Sequence, residues 1–306
     1  MQLLITGGTG SIGSRLVESL AADHHEIIVL SRNPAAHKFP EGVSGVAWDG
    51  KTPDGWGHLV DGIDVVINLA GENLAGNGTI PSRWTDARKK SIRESRINAG
   101  QALVDAISAA DVKPKLLFQI SGIDYYPPGD DLVTETSPPG DTFLANVVAN
   151  DWEPSTAAVE GMGVRRIVGR LGPVLSMDGG PLPISVLQFK FFVGGHLGNG
   201  RQWLSWIHID DAVNAIKHMC SSTHVEGVYN IVAPNPVRNE KFSQVLGSVM
   251  GRPKWIPAPA FALKLALGEI STLVLEGRQV SAQLLLDTQF KFKFAELKPA
   301  LENLLE

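Results

Sequence analysis

The apolar run Leu3-Leu4-Ile5-Thr6 leads directly into Gly7-Gly8-Thr9-Gly10-Ser11-Ile12-Gly13, and an amphipathic stretch from Ser11 to Ala22 follows at once. A strand, a glycine turn and a helix start set this close together leave few folds open. In that setting Gly7 makes the tight turn, Gly10 lets a ligand's pyrophosphate approach the backbone, and Gly13 lets the helix pack closely on the strand. The helix N-terminus would offer free N–H groups and the positive end of its dipole to the phosphates, with Thr9, Ser11 and Ile12 in the contact loop. Glycines between strand and helix also occur for packing alone, but this position at the start of a βαβ unit points to a dinucleotide.

Downstream, short β-branched runs alternate with longer amphipathic segments, the pattern of βαβ units feeding a parallel sheet. Strands are expected at Leu3 to Thr6, Glu26 to Leu30, Gly45 to Trp48, Asp64 to Asn68, Lys115 to Ser121 and Val164 to Arg170. Helices are expected at Ser11 to Ala22 and at Arg83 to Ala110, the second with Ile92, Ile97, Leu103, Val104 and Ile107 at roughly helical spacing. After Arg170 come glycine- and proline-rich loops, Gly179 to Pro183 and Gly194 to Gly200, of a kind that lies over a cleft. The fold class is therefore α/β, a doubly wound Rossmann sheet with a smaller C-terminal substrate lobe. Residues 1–235 read as the dinucleotide domain, with cleft loops at about 175–205, and residues 236–306 as a helical lobe with an added strand.

Charge and cysteine content narrow the function classes. A net charge of −5 over 306 residues gives no basic surface for phosphates, and the cluster Arg88, Lys89, Lys90 and Arg93 shares its helix with Asp86 and Glu94. Nucleic acid is not an expected partner. The lone Cys220 suits a reducing compartment, no His, Cys, Asp and Glu spacing resembles a metal site, and no apolar run is long enough to span a bilayer. A cytoplasmic protein with neither a secretory signal nor a membrane span is expected.

The choice of dinucleotide rests on the second strand. Where an NAD-binding chain usually carries a carboxylate for the ribose hydroxyls, this one ends in Ser31-Arg32. A hydroxyl and a guanidinium can bond a 2′-phosphate that a carboxylate would repel, so NADP(H) is expected, the alternative being a solvated surface arginine. Trp48 and Asp49 either flank the adenine or pack on the sheet edge. Leu69, Ala70 and Gly71 at the end of the fourth strand leave room for the ribose on the nicotinamide side, and Val174, after Arg170-Leu171-Gly172-Pro173, is placed to offer backbone contacts to the nicotinamide amide.

Taken together, these segments resemble the extended short-chain dehydrogenase/reductase superfamily. The residues that carry the resemblance are the GxxGxxG start, Asn68-Leu69-Ala70-Gly71, Asn98, Ser121 and Trp206-Ile207-His208-Ile209-Asp210-Asp211. A nearer resemblance is to its atypical "epimerase family" branch, some of whose members are called cell-division inhibitors. It rests on Gly71-Glu72-Asn73, Arg83 to Lys89, Ser95-Arg96, Ser121-Gly122 with Tyr125-Tyr126, Trp152-Glu153, and a tail from Gly251-Arg252-Pro253 to Leu305 that looks like that branch's own C-terminal domain. The resemblance implies that Leu69 and Ala70 touch the cofactor and that Ser91 and Arg96 reach its ribose and phosphate region. Arg96 also reads equally well as an ordinary exposed helix cation.

The superfamily's Tyr-x-x-x-Lys acid and base are missing. Tyr125, Tyr126 and Tyr229 are followed four residues later by Gly129, Asp130 and Ala233, and the segment before Trp152-Glu153 offers Asn146, Asn150 and Asp151 instead. Two readings follow. In the first, the chain is an atypical NADP(H)-dependent oxidoreductase or epimerase of a small carbonyl-bearing or polar substrate. Tyr125 or Tyr126 would act as its acid, modulated by Asp124 or Asp151, Ser121 would bond a substrate oxygen, and Arg201, Gln202 and Trp203 would help wall the pocket. In the second, the two rings only wall the pocket and the chain is a catalytically silent, cofactor-bound regulator or scaffold recognised by a protein partner. His208 reads as a packed, hydrogen-bonded histidine, and a homodimer through the long helix is compatible with either reading.

Overall fold

The structure, a computed structural model, describes residues 1–76 and 81–306. The first half runs β1 (Gln2–Thr6), α1 (Ser11–Ala22), β2 (Glu26–Ser31), β3 (Val43–Ala47), β4 (Val65–Asn68), α2 (Asp86–Ala109), β5 (Leu116–Gly122), β6 (Leu132–Val133) and α3 (Phe143–Val147). The second runs β7 (Arg165–Leu171), β8 (Val174–Leu175), α4 (Leu182–Lys190), β9 (Trp203–Leu204), β10 (Ile207–His208), α5 (Ile209–Ser221) and β11 (Gly227–Ile231). It ends with β12 (Val237–Arg238), α6 (Asn239–Val249), α7 (Ala260–Leu267), α8 (Thr272–Leu275), β13 (Gln279–Val280), α9 (Gln283–Asp287) and α10 (Leu297–Leu305).

Seven strands form one parallel sheet in the order β11-β7-β5-β4-β1-β2-β3. The chain starts in the middle, builds outward to β3, then crosses to β4 on the other side of β1. The switch point therefore lies between the C-terminal ends of β1 and β4, where open α/β sheets bind ligands. Both faces are covered. On one, Leu16, Val17 and Leu20 of α1 pack with Ile216 and Met219 of α5, and on the other Leu103 and Ile107 of α2 pack with Trp56 and Val159. Double coverage explains why β4 reads Val-Val-Ile-Asn, buried throughout, rather than alternating.

The α1 boundaries match those read from the sequence, while α2 starts at Asp86 rather than Arg83. The side chain of Thr85 accepts from the Arg88 N–H at 3.2 Å and fixes the start as an N-cap. Five-residue β11 is an additional edge strand beyond those read from the sequence, and β3 is shifted to Val43–Ala47. Trp48 leaves the strand because its indole turns to Trp56, ring centroids 5.6 Å apart, and donates to the Thr52 carbonyl at 3.0 Å.

The C-terminal residues return to the sheet. Leu285 and Phe290 are buried with the β1, β5 and β7 side chains, and β13 pairs with β6. Asp211 holds the end of this return, its carboxylate accepting from the Lys293 and Phe294 N–H groups at 2.7 and 2.8 Å. Leu297, Ala300 and Leu301 of α10 close a further cluster with Phe242, Leu246 and Trp206. Among the described residues no helix is long and apolar enough to cross a membrane, and no cluster of His, Cys, Asp and Glu is placed to hold a metal ion.

Candidate functional site

Gly7 has φ of 68°, and a Cβ there would lie 2.6 Å from the Leu69 carbonyl oxygen. The turn after β1 and the loop after β4 thus touch at the switch point, which only glycine permits. A Cβ at Gly13 would lie 2.1 Å from the Gly7 carbonyl oxygen, whereas one at Gly10 would meet only that same oxygen, at 3.4 Å. Gly7 and Gly13 are therefore closed by packing, while Gly10 and Ser11 face solvent. No side chain caps α1, so the N–H groups of its first turn have no side-chain partner. Thr9 and Ile12 are half-buried beside them. Gly179 of the later glycine loop packs on Ser11, 3.2 Å from an added Cβ to the Ser11 Cβ, and Gly180 packs likewise on the Val174 carbonyl at 2.8 Å. Ser11, Val174 and that loop are thereby brought together beside the α1 N-terminus.

Behind the turn, buried polar side chains tie the strand ends together. Thr6 donates to Asn68 Oδ1 at 2.6 Å, Asn68 donates to Gln119 Oε1 at 2.8 Å, and the Ala70 N–H donates to both Thr6 Oγ1 and Asn68 Oδ1 at 3.2 Å. Every member has a partner, so the floor under Leu69 and Ala70 is rigid.

The adenosine end is simpler. Arg32 is exposed, with no hydrogen-bond or ion-pair partner among the described residues. Ser31 is buried and its hydroxyl already accepts from the Asn33 N–H at 3.4 Å. Asp49 folds back to accept from the Lys51 and Thr52 N–H groups at 2.7 and 2.9 Å, and these bonds hold its carboxyl below the usual range. Arg32 is left as the group directed to solvent.

Ser91 and Arg96 serve the loop after β4. Ser91 and Arg88 both donate to the Glu72 carboxylate, and the Glu72 N–H donates to Ser95 Oγ at 3.0 Å. Burial works against the Glu72 charge, but Ser91, Arg88 and Arg32 outweigh it and hold the carboxyl below its ordinary value. Arg96 is buried rather than exposed. It donates to the Ile92 and Glu72 carbonyls at 2.9 and 3.2 Å, lies 4.5 Å from the Trp152 ring centroid, and packs against Gly71. Burial lowers its pKa to about 10, the nearby Asp124 and Glu72 carboxylates opposing the shift, so it stays charged. Ser91 and Arg96 hold Gly71-Glu72 in place, and Arg88 also donates to the Asn73 carbonyl.

At the ends of β5 and β7, where the Tyr-x-x-x-Lys pair would act, stands a different network. Arg170 donates through Nε and Nη2 to the two oxygens of Glu153, both at 2.8 Å, and Ser121 donates to Glu153 Oε1 at 2.7 Å. Arg170 Nη1 also donates to the Tyr126 hydroxyl at 2.9 Å, which donates to Asn230 Oδ1 at 2.7 Å. Burial opposes the Arg170 charge, but Glu153 more than offsets it and holds the guanidinium above its ordinary value. Burial likewise pushes the fully covered Tyr126 up to about 12. Tyr125 alone is half-exposed, with the Arg170 guanidinium 3.3 Å from its ring centroid. Asp124 and Asp151, expected to modulate the tyrosines, are paired elsewhere, with Arg278 at 2.9 Å and Arg93 at 2.7 Å.

No sequence pattern joins Glu153 to Arg170 as a unit. The one visible signal is Pro154, which removes a backbone donor and turns the chain through a wider π-type turn at Val148–Trp152 that delivers Glu153 to β7. A cleft of about 160 Å³ lies beside Asp124, lined also by Trp84, Phe143, Glu269, Glu276 and Arg278. Arg201, Gln202 and Trp203 do not line it. Gln202 donates to the Leu197 and Val274 carbonyls, and Trp203 is stacked under Arg238, so that loop braces the C-terminal segment. A larger open depression of about 480 Å³ on the outer face of α2, beside Lys89, Lys90 and Arg93, holds none of the expected site residues.

His208 is structural, as read. Its Nδ1 accepts from the Asp210 N–H at 3.0 Å, capping α5, and its ring lies 4.0 Å from that of Phe294. Burial lowers its pKa to about 4, Lys293 and Arg15 adding to the shift and Asp210 opposing it. The unfolded chain takes up this proton near pH 6.5, so the contribution is complete above that value and is lost as pH falls toward 4. The expected loss is up to about 3 kcal/mol. Urea midpoints measured over that range should fall with acidity, and less steeply in His208→Asn, whose amide keeps the cap.

The sheet, its switch point and the glycine turn define a Rossmann-like α/β protein. The description "NAD dependent epimerase/dehydratase family" matches residues 3–232, and "Domain of unknown function (DUF1731)" matches residues 258–304. An epimerase family protein of Staphylococcus saprophyticus, SSP1921, is 42% identical over 99% of this chain and 98% of its own. The chloroplastic SDR39U1 homolog of Arabidopsis thaliana is 40% identical over 100% of this chain and 87% of its own. The crystal structure of human epimerase family protein SDR39U1 (isoform 2) with NADPH superimposes with a TM-score of 0.88, at 33% identity and 99% coverage of each chain. This chain belongs to the NAD dependent epimerase/dehydratase family.

Proposed function

We propose that this chain binds NADP(H) along the C-terminal edge of its sheet and exchanges hydride between that cofactor and a small polar substrate bearing a carbonyl or hydroxyl group. The observation that carries the reading is an uncapped α1 N-terminus behind a glycine turn closed at Gly7 and Gly13, with Arg32 exposed after β2. Those groups fit a pyrophosphate and a 2′-phosphate. The human relative solved with NADPH supports the same choice.

The cofactor, when bound, would supply or accept the hydride, and the proton falls to this chain. In the direction of reduction, the Tyr125 hydroxyl gives its proton to the substrate oxygen as that oxygen gains negative charge, and water reprotonates the phenolate. Arg170, clamped by Glu153 against the Tyr125 ring, supplies the cation that lysine supplies in a Tyr-x-x-x-Lys pair. Ser121, already donating to Glu153, holds that clamp. The cleft beside Asp124 and Arg278 offers acceptors and a donor for substrate hydroxyl groups. With a panel of carbonyl and alcohol substrates, Tyr125→Phe is expected to lower kcat about 10²- to 10⁴-fold with little change in KM for NADPH. Equal rates in the variant would remove Tyr125 from the reaction.

A second reading is favoured by the closed Ser121-Glu153-Arg170-Tyr126-Asn230 network, which leaves few groups free to react. It makes the chain a regulator whose cofactor-bound form is recognised by a protein partner. No turnover anywhere in the panel, together with a partner whose capture depends on NADPH against NADP, would select it.

A further inference from the structure

Some of the largest apolar side chains on this protein are exposed in one region. Phe191 is 70% exposed and Trp255 66%, and Phe192, Val193 and Ile256 between them are each close to half exposed. They form a continuous strip. The Trp255 indole donates to the Phe192 carbonyl at 3.0 Å, the Ile256 N–H donates to the Gly194 carbonyl at 3.3 Å, and the Ala258 N–H donates to the His196 carbonyl at 2.9 Å. The strip runs directly into α7, whose sequence Ala-Phe-Ala-Leu-Lys-Leu-Ala-Leu contains no buried residue. Phe261 and Leu265, one turn apart on α7, are 75% and 74% exposed. A soluble surface seldom leaves so much contiguous apolar area uncovered.

The stretch of sequence that carries Trp255, Ile256 and α7 holds charge of one sign. From Lys241 to Gly268 there is no aspartate or glutamate, but there are Lys241, Arg252, Lys254 and Lys264, and α4 ends at Lys190 beside Phe191. In a chain of net charge −5 this is a local reversal. Lys254 pairs with Glu240, just outside this stretch, at 3.8 Å, and Arg252 lies 4.5 Å from the Phe192 ring centroid, which sets a cation within the apolar strip. A two-fold contact between copies through this face would bring its cations together with those of the second copy, which is unfavourable. Aromatic rings with lysines and arginines at their edge match instead the interface of an anionic bilayer, where rings enter the headgroup region and cations meet lipid phosphates.

We infer that the face formed by Phe191–Val193, Trp255–Ile256 and α7 docks this protein reversibly on the surface of an anionic membrane. The inference is independent of the cofactor reading, since the strip contains none of the proposed cofactor or substrate residues. Docking inserts side chains without any helix spanning the bilayer.

The test is co-sedimentation of the full chain with phosphatidylcholine vesicles and with mixed phosphatidylcholine/phosphatidylglycerol vesicles. Partition into the mixed vesicles alone, weakened by added salt, is expected. Phe191→Ser and Trp255→Ser should each reduce it about tenfold or more, and Lys254→Gln and Lys264→Gln about fivefold each. Leu132→Ser, an exposed apolar residue on β6, should leave it unchanged. Absence of partition into the anionic vesicles would overturn the inference, as would partition that the Phe191 and Trp255 variants retain. A dimer in solution dispersed by those same variants would also overturn it, assigning the face to a second copy.

Discussion

Replacing Arg170 with alanine is expected to lower stability by about 3–5 kcal/mol, the cost of leaving a largely buried carboxylate without its partner. Glu153 would keep only the Ser121 hydroxyl and lose both guanidinium bonds, while the Tyr126 hydroxyl would lose a donor. Urea denaturation should register this as a large drop in midpoint. Arg170→Lys separates charge from shape. An ammonium restores one bond to Glu153 but cannot make the bidentate pair or lie flat on the Tyr125 ring, so it should recover part of the stability and little of any hydride transfer. If Arg170→Ala stayed within about 1 kcal/mol of the parent, the network would be a surface-like ion pair and its proposed role would fail.

The second large effect is expected at Gly13. An added methyl would lie 2.1 Å from the Gly7 carbonyl oxygen and 2.7 Å from the Gly8 Cα, both backbone atoms that cannot rotate away. Gly13→Ala must push α1 off β1 and open the turn. We expect affinity for dinucleotide to fall at least about 100-fold, equivalent to ~3 kcal/mol, with a smaller loss of stability because overpacking typically costs about 1–3 kcal/mol. Gly10→Ala makes the contrast, since its methyl meets one atom at 3.4 Å. That variant should fold normally and weaken binding only through the space the pyrophosphate needs. Equal affinity for NADPH in Gly13→Ala and the parent would place the ligand elsewhere.

Local chemistry made much of this legible. The glycine turn, both α1 boundaries and six of the sheet's strands follow from periodicity and punctuation, the central strands because a strand covered on both faces is apolar throughout. Arg32 at the end of β2 was readable for the same reason, as a residue type at a fixed place in a βαβ unit. What escaped depended on partners distant in sequence. Arg96 looks like any helix cation until Trp152 and the Glu72 carbonyl are brought to it. Asp49 precedes Gly50 and satisfies its own turn, which an Asx reading of Asp-Gly-Lys-Thr would have caught. The Glu153 and Arg170 pair joins a helical turn to a strand 17 residues on, and no spacing rule connects them. The return of Leu285 and Phe290 to the main core likewise depends on Asp211, whose two bonds to the 293–294 backbone no local pattern announces.

The central claim is that the C-terminal ends of β1 and β4 take NADP(H), with Arg32 on the 2′-phosphate. Calorimetric titration of the purified chain and of Arg32→Ala with NADPH and with NADH tests it most directly. The account predicts NADPH bound more tightly than NADH by the parent, with Arg32→Ala losing about 1–3 kcal/mol toward NADPH and almost nothing toward NADH. Equal affinity for the two nucleotides in both proteins, or no binding of either, would contradict it.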